Sequence, residues 1–104
     1  MIKWPCMLKL HGDPELIYIN TQASLAAELD GLIWGEEDYL IDCDGECFVV
    51  HSSSQGFWFE TRGNHLSLQS VTELIQEHEF AKAEVCLTKI QFSSIEDAIK
   101  AIAL

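Results

Sequence analysis

The first twenty residues alternate between two faces. Trp4, Cys6, Leu8 and Leu10 fall on one side of an extended segment, and Pro5, Met7, Lys9 and His11 on the other. Pro5 has no N–H to give to a ladder, so it belongs at a strand start or on an edge. Gly12-Asp13-Pro14 is a turn signal, and Leu16 to Asn20 resumes the extended pattern. The two segments are expected to form a first hairpin. From Thr21 the period changes. Leu25, Leu29, Leu32 and Ile33 follow helical spacing, with Thr21 or Ser24 to cap the start and Gly31 at the exit. Trp34-Gly35 then leads into an acidic loop, Glu36-Glu37-Asp38.

The stretch from Tyr39 to His51 reads as a hairpin turning on Asp44-Gly45. A two-residue turn there sets Cys43 opposite Glu46 and Asp42 opposite Cys47. Tyr39, Ile41, Cys43, Phe48 and Val50 would then share one face. Asp38, Leu40, Asp42, Cys47, Val49 and His51 would share the other, which is neither clean core nor clean surface. A three-residue loop from Asp44 to Glu46 is the alternative and would bring Cys43 opposite Cys47.

A polar connection, Ser52 to Gly56, leads to a strand at Phe57-Trp58-Phe59-Glu60-Thr61, where aromatic residues favour extended backbone. Arg62-Gly63-Asn64 is expected to end it. A helix beginning at Ser67 collects Leu68, Val71, Leu74, Ile75 and His78 in one stripe. A rival capping box at Ser70 to Glu73 would leave Leu68 outside that stripe, so the earlier start is preferred. The pattern ends near Ala81, and Glu84 to Ile90 reads as a strand. Ser93-Ser94-Ile95-Glu96 is a second capping box. The helix behind it carries Ile95, Ala98, Ile99 and Ile102 on one face. Glu96 and Asp97 in its first turn and Lys100 nearer its end suit the helix dipole.

The order β-β-α-β-β-β-α-β-α predicts an α+β fold: an antiparallel-rich sheet of five to six strands with helices mainly on one face. A chain of 104 residues is expected to form a single domain over residues 1–104.

Charge narrows the partners. With 17 acidic and 6 basic residues the formal charge is −11. A phosphate-backbone binder needs a basic stripe, and an anionic membrane also attracts basic segments, so neither nucleic acid nor membrane is expected. Solubility is the plain reading of the charge; an acidic face for a basic partner, or a mimic of nucleic acid, is the sharper one. The apolar run near the N-terminus is short and interrupted by Lys9, unlike a signal peptide, and no stretch approaches membrane-spanning length. The chain is expected in the cytoplasm, with Cys6, Cys43, Cys47 and Cys86 as thiols.

The candidate chemistry centres on the hairpin. Cys43, Cys47 and His51, with His65, could suggest a metal site, but C-x3-C-x3-H is not a zinc spacing of the usual kind. Cys47 and His51 share a face, yet four residues of strand separate them by about 13 Å, too far for one ion or for a nucleophile–base pair. Asp42-x-Asp44-x-Glu46 opens like a calcium loop, but the sixth and twelfth positions hold Cys47 and Ser53 instead of glycine and glutamate. The glycines are scattered singly, so no phosphate loop is present. Cys6 and Cys86 look like small core residues, His78 like a boundary histidine, and His11 precedes a turn. No catalytic residue, metal ligand or cofactor is expected.

The mixed sheet face offers more. Trp58 points away from Phe57 and Phe59, and aromatic residues are enriched at interfaces. Trp58, Leu40 and Val49 are the candidate partner-binding residues. Otherwise Trp58 packs under a loop or the first helix. The expectation is a non-enzymatic domain acting through protein contact or homodimerisation. The alternatives are a metal- or thiol-dependent protein using Cys43 and Cys47, and a small enzyme whose site assembles from separate loops.

Two stretches also carry a resemblance. Trp4-Pro5, Lys9, Gly12-Asp13 and Glu15-Leu16 open the chain, and Glu84 to Ile90 followed by a short helix closes it. This layout resembles a family of small, acidic, uncharacterised proteins of marine gammaproteobacteria classed as a domain of unknown function. The resemblance spans nearly the whole chain. It implies a bacterial cytosolic origin and neither an activity nor site residues.

Overall fold

The computed structural model describes residues 2–30, 34–54, 56–82 and 91–103. The strand expected at Glu84 to Ile90, the helix exit at Gly31 and the residues Leu32, Ile33 and Cys86 lie outside them. Within the described residues the order is β1 (Cys6–Lys9), β2 (Leu16–Ile19), α1 (Gln22–Leu29), β3 (Tyr39–Ile41), β4 (Glu46–Ser53), β5 (Gly56–His65), α2 (Leu68–Lys82) and α3 (Ile95–Ala101). The strands form one five-stranded antiparallel sheet in the order β2-β1-β3-β4-β5. The fold is α+β.

Each helix starts where a hydroxyl can take up an orphan N–H. Thr21 Oγ1 accepts from Ser24 N at 3.1 Å. Ser67 Oγ accepts from Ser70 N at 3.1 Å, so α2 takes the earlier start that keeps Leu68 within it. At α3 the expected box is displaced by one residue. Ser94, not Ser93, is the cap and accepts from Asp97 N at 3.1 Å, while Ser93 Oγ donates to the Asp97 carboxylate.

Both sheet faces are covered. Met7, Leu16, Ile41 and Cys47 meet Val71 and Ile75 of α2 and Ala98 and Ile99 of α3 in one buried cluster. Cys6, Leu8, Ile19, Leu40, Phe48 and Val50 meet Leu25 and Leu29 of α1 in the other. Two of the three described helices thus share a face, with the short α1 on the opposite side. The first strand, paired on both edges by β2 and β3, is apolar on both faces because helices cover each of them. Its Cys6, Met7 and Leu8 are buried, and each aliphatic side chain so placed contributes about 1.5–3 kcal/mol.

The central hairpin departs from both expected registers. Leu40 stands opposite Phe48 and Ile41 opposite Cys47, and Asp42 N donates to Glu46 O at 3.0 Å. The loop is therefore Cys43-Asp44-Gly45. Gly45 N donates to Asp42 O at 2.9 Å, and Gly45 takes φ +88°, the three-residue connection that ends on a left-handed glycine. The buried Asp42 carboxylate selects this loop. Its Oδ1 accepts from Asp44 N at 2.9 Å and Glu46 N at 3.0 Å, and its Oδ2 from Lys3 N at 3.2 Å. A slip of one residue turns a strand over relative to its neighbour. Leu40 accordingly faces the same way as Phe48, toward α1, and Ile41 faces α2 and α3 with Cys47.

Arg62-Gly63-Asn64 does not end β5, contrary to expectation. The strand continues to His65, and the ladder shifts between Glu46 opposite His65 and Phe48 opposite Thr61. Gly63 at φ +80° allows the chain to bulge and rejoin.

A candidate interaction cleft on the β4–β5 arm

The β4 strand has eight residues and its partner β3 only three, so the far half of β4 and most of β5 run on as a two-stranded arm. Register fixes what this arm displays. Val49 lies opposite Glu60 and His51 opposite Trp58, on the face that α2 and α3 cover farther in. Val50 pairs with Phe59 and Ser52 with Phe57 on the face that α1 covers.

On the first of these faces Trp58 is 50% exposed. It packs under neither a loop nor α1. Its ring stacks on His51, with centroids 4.1 Å apart and planes 18° from parallel. His51 Nε2 lies 2.9 Å from Glu60 Oε1, which fixes the imidazole between the indole and the carboxylate. A cleft of about 500 Å³ opens beside this stack, lined by Trp34, Glu36, Val49, His51, Ser52 and Trp58 among others.

Trp34, Gly35 and Glu36, at the start of the acidic loop, also line the cleft. Trp34 Nε1 donates to Val50 O at 2.9 Å, and its ring meets Phe57 edge-on at 5.9 Å. Asp38 closes the loop by accepting from Gly35 N at 2.7 Å and His11 N at 2.6 Å. The sequence therefore spends one indole and one carboxylate on shaping the cleft and leaves the second indole half exposed beside it.

The candidate partner-binding residues divide. Val49 and Trp58 share the arm face and both line the cleft. Leu40 does not join them: it is fully buried in the cluster under α1. The physical reason is the one-residue shift of the hairpin, which turned β3 over relative to β4. Trp34, His51 and Glu36 complete the cleft without having been singled out for it. For His51 the signal was present, because a strand turn centred between Ser53 and Gly56 places His51 opposite Trp58.

Among the described residues neither hairpin cysteine is grouped with a histidine to hold a metal ion. Cys47 is buried under α2 and α3, and Cys43, in the loop, borders the same cluster instead of the opposite face. Asn64 Nδ2 donates to Cys47 Sγ at 3.6 Å, and Cys43 Sγ approaches Trp4 O at 3.7 Å. Burial pushes both thiols up from their ordinary value. His65 lies 3.7 Å from Glu46, at the opposite end of the ladder from His51. Among the described residues no three His, Cys, Asp or Glu side chains are grouped to hold a metal ion. Among them, too, no helix is long and apolar enough to cross a membrane.

Fold and cleft together define a small α+β protein with an aromatic-walled recess at the end of its sheet. The chain belongs to DUF4144, a family described as a protein structure with unknown function, whose model matches residues 4–102. A protein from Shewanella amazonensis, solved by NMR, is similar in fold: TM-score 0.75 and 23% identity, covering 99% of this chain and 89% of that one. Among curated proteins no relative matches the chain.

Proposed function

We propose that the chain acts as a single domain, in the cytoplasm, through contact with another polypeptide at the β4–β5 arm. The observation that carries this reading is Trp58: a large indole, half exposed, held flat by His51 at the mouth of a preformed cleft. Tryptophan is costly to leave in water and is the residue type most enriched at the energetic centres of interfaces. Val49 adds apolar surface on the same face. A nucleic-acid partner is disfavoured by the charge of −11, and the free thiols of Cys6, Cys43 and Cys47 suit a reducing compartment.

The test is a double variant, Val49→Lys with Trp58→Glu. Circular dichroism and urea unfolding should report an intact fold, since both positions lie outside the two clusters of buried residues. Sedimentation should show lost self-association, or lost binding of a partner that the unaltered chain retains. An unaltered chain that sediments as a monomer and shifts with no partner would refute the reading.

A further inference from the structure

We infer that the cleft receives an arginine side chain from an extended, basic segment of the partner; this deepens the reading just given and rests on it. The hydrogen-bond donors around the cleft are largely spent within the protein. The Trp34 indole N–H is committed to Val50 O, the Gly35 N–H to Asp38, and His51 Nε2 to Glu60. Glu36 lines the cleft and has no ion pair among the described residues, and Glu60, though not a lining residue itself, sets a second carboxylate against the lining residue His51. Glu60 is well exposed, at 61% of its side chain. Among the described residues no lysine or arginine lines the cleft. A recess of this kind stabilises an incoming cation and repels an anion.

The shape of the site also suits arginine. A guanidinium is planar, keeps its charge at any physiological pH and stacks on aromatic faces. Trp58 supplies an indole already held flat by its stack on His51. The chain makes one such contact internally: the Arg62 guanidinium carbon sits 4.6 Å above the Tyr39 ring, on the same side of the sheet. The net charge of −11 draws basic segments toward the molecule before contact.

The test uses two synthetic peptides. One is Gly-Ser-Arg-Gly-Arg-Ser-Gly with blocked ends; the other replaces each arginine by citrulline, which keeps the planar urea and loses the charge. Binding is followed by amide and indole NMR shifts on the whole chain at low salt. The arginine peptide should shift the signals of Glu36, His51 and Trp58. The citrulline peptide should bind at least about tenfold more weakly. Glu36→Gln with Glu60→Gln should weaken the arginine peptide by about tenfold, and Trp58→Ala should abolish its shifts. Equal binding of both peptides, shifts confined to other surfaces, or no shifts at millimolar peptide would each overturn the arginine assignment. The contact reading is judged separately, by sedimentation of the Val49→Lys, Trp58→Glu variant, so the two can fail independently.

Discussion

His78, on α2, accepts a hydrogen bond at Nδ1 from the backbone N–H of Leu16, 2.8 Å away and 62 residues earlier in the chain. The contact ties the edge strand β2 to the helix layer at a buried position. A strand N–H left without a partner in such a place costs about 1–3 kcal/mol. Replacing His78 by Leu keeps apolar bulk and removes the acceptor. Urea unfolding of His78→Leu should therefore show a loss of roughly 1–3 kcal/mol. An unchanged midpoint would mean that water or another group satisfies Leu16.

Glycine substitutions separate backbone strain from steric conflict. Gly12 and Gly45 both take positive φ, +80° and +88°. A Cβ at Gly12 meets nothing within 4 Å, whereas one at Gly45 would run into the Leu66 carbonyl and reach Ile95 Cδ1 at 2.9 Å. Leu66 N also donates to Gly45 O at 2.7 Å, so the two backbones cannot separate freely. Gly12→Ala should cost about 1 kcal/mol, from backbone strain alone. Gly45→Ala should cost about 3 kcal/mol or more, because strain and overpacking act together. Thermal or urea unfolding of the two variants side by side decides this, and equal losses would contradict it.

The thiols give a pH dependence. Burial, with Asp42 and Cys43 adding to it, pushes the Cys6 thiol far up, and burial raises Cys47 as well. Both are fully buried. In the unfolded chain they ionise near their ordinary value of about 8.5, while in the folded chain burial holds both above it, Cys6 far above. Above that value the unfolded state binds fewer protons than the folded one, so stability falls as pH rises. Their contribution is fully present at neutral pH and is lost progressively above about pH 8.5. Urea midpoints measured from pH 7 upward should decline, and less steeply in Cys6→Ala once its own loss of stability is subtracted. Alkylation at pH 8 should modify Cys43, which is partly exposed, before Cys6 or Cys47.

Helix positions were legible in the sequence because hydrophobic spacing and hydroxyl caps act locally: Leu25 with Leu29, and Val71 with Ile75 and His78, fall where the 3.6-residue period puts them. The class of fold followed from the alternation of elements. The hairpin register did not, because it depends on a residue's third dimension. Asp42 reads as an acidic tip residue, yet it is buried and bound to three backbone N–H groups. Those bonds draw Cys43 into the loop and shift the ladder by one. Leu40, expected beside Val49 on the mixed face, is turned to the other side by that shift, whereas Val49 and Trp58 share a face because their pairing depends only on the β4–β5 turn. The cleft needed Trp34 and Glu36 brought across from another loop, which no local pattern in the chain specifies.

That division of the hairpin yields a sharp contrast between neighbours on one sheet. Leu40 is fully buried beneath α1, in contact with the cluster that holds Leu25, Leu29 and Phe48. Truncating it to alanine removes three buried carbons and leaves a cavity, at a cost of about 2–5 kcal/mol. Val49 is only partly buried and lies on the opposite face. Val49→Ala loses part of one cross-strand contact, at a cost of about 1 kcal/mol or less. Leu40→Ala should lower the unfolding midpoint severely; Val49→Ala should leave it nearly in place and act instead on association measured by sedimentation. The result that defeats this account is a reversed order of stabilities, with Val49→Ala costing more than Leu40→Ala. In that case the arm would be a structural support of the core, and its exposed indole would no longer point to a partner.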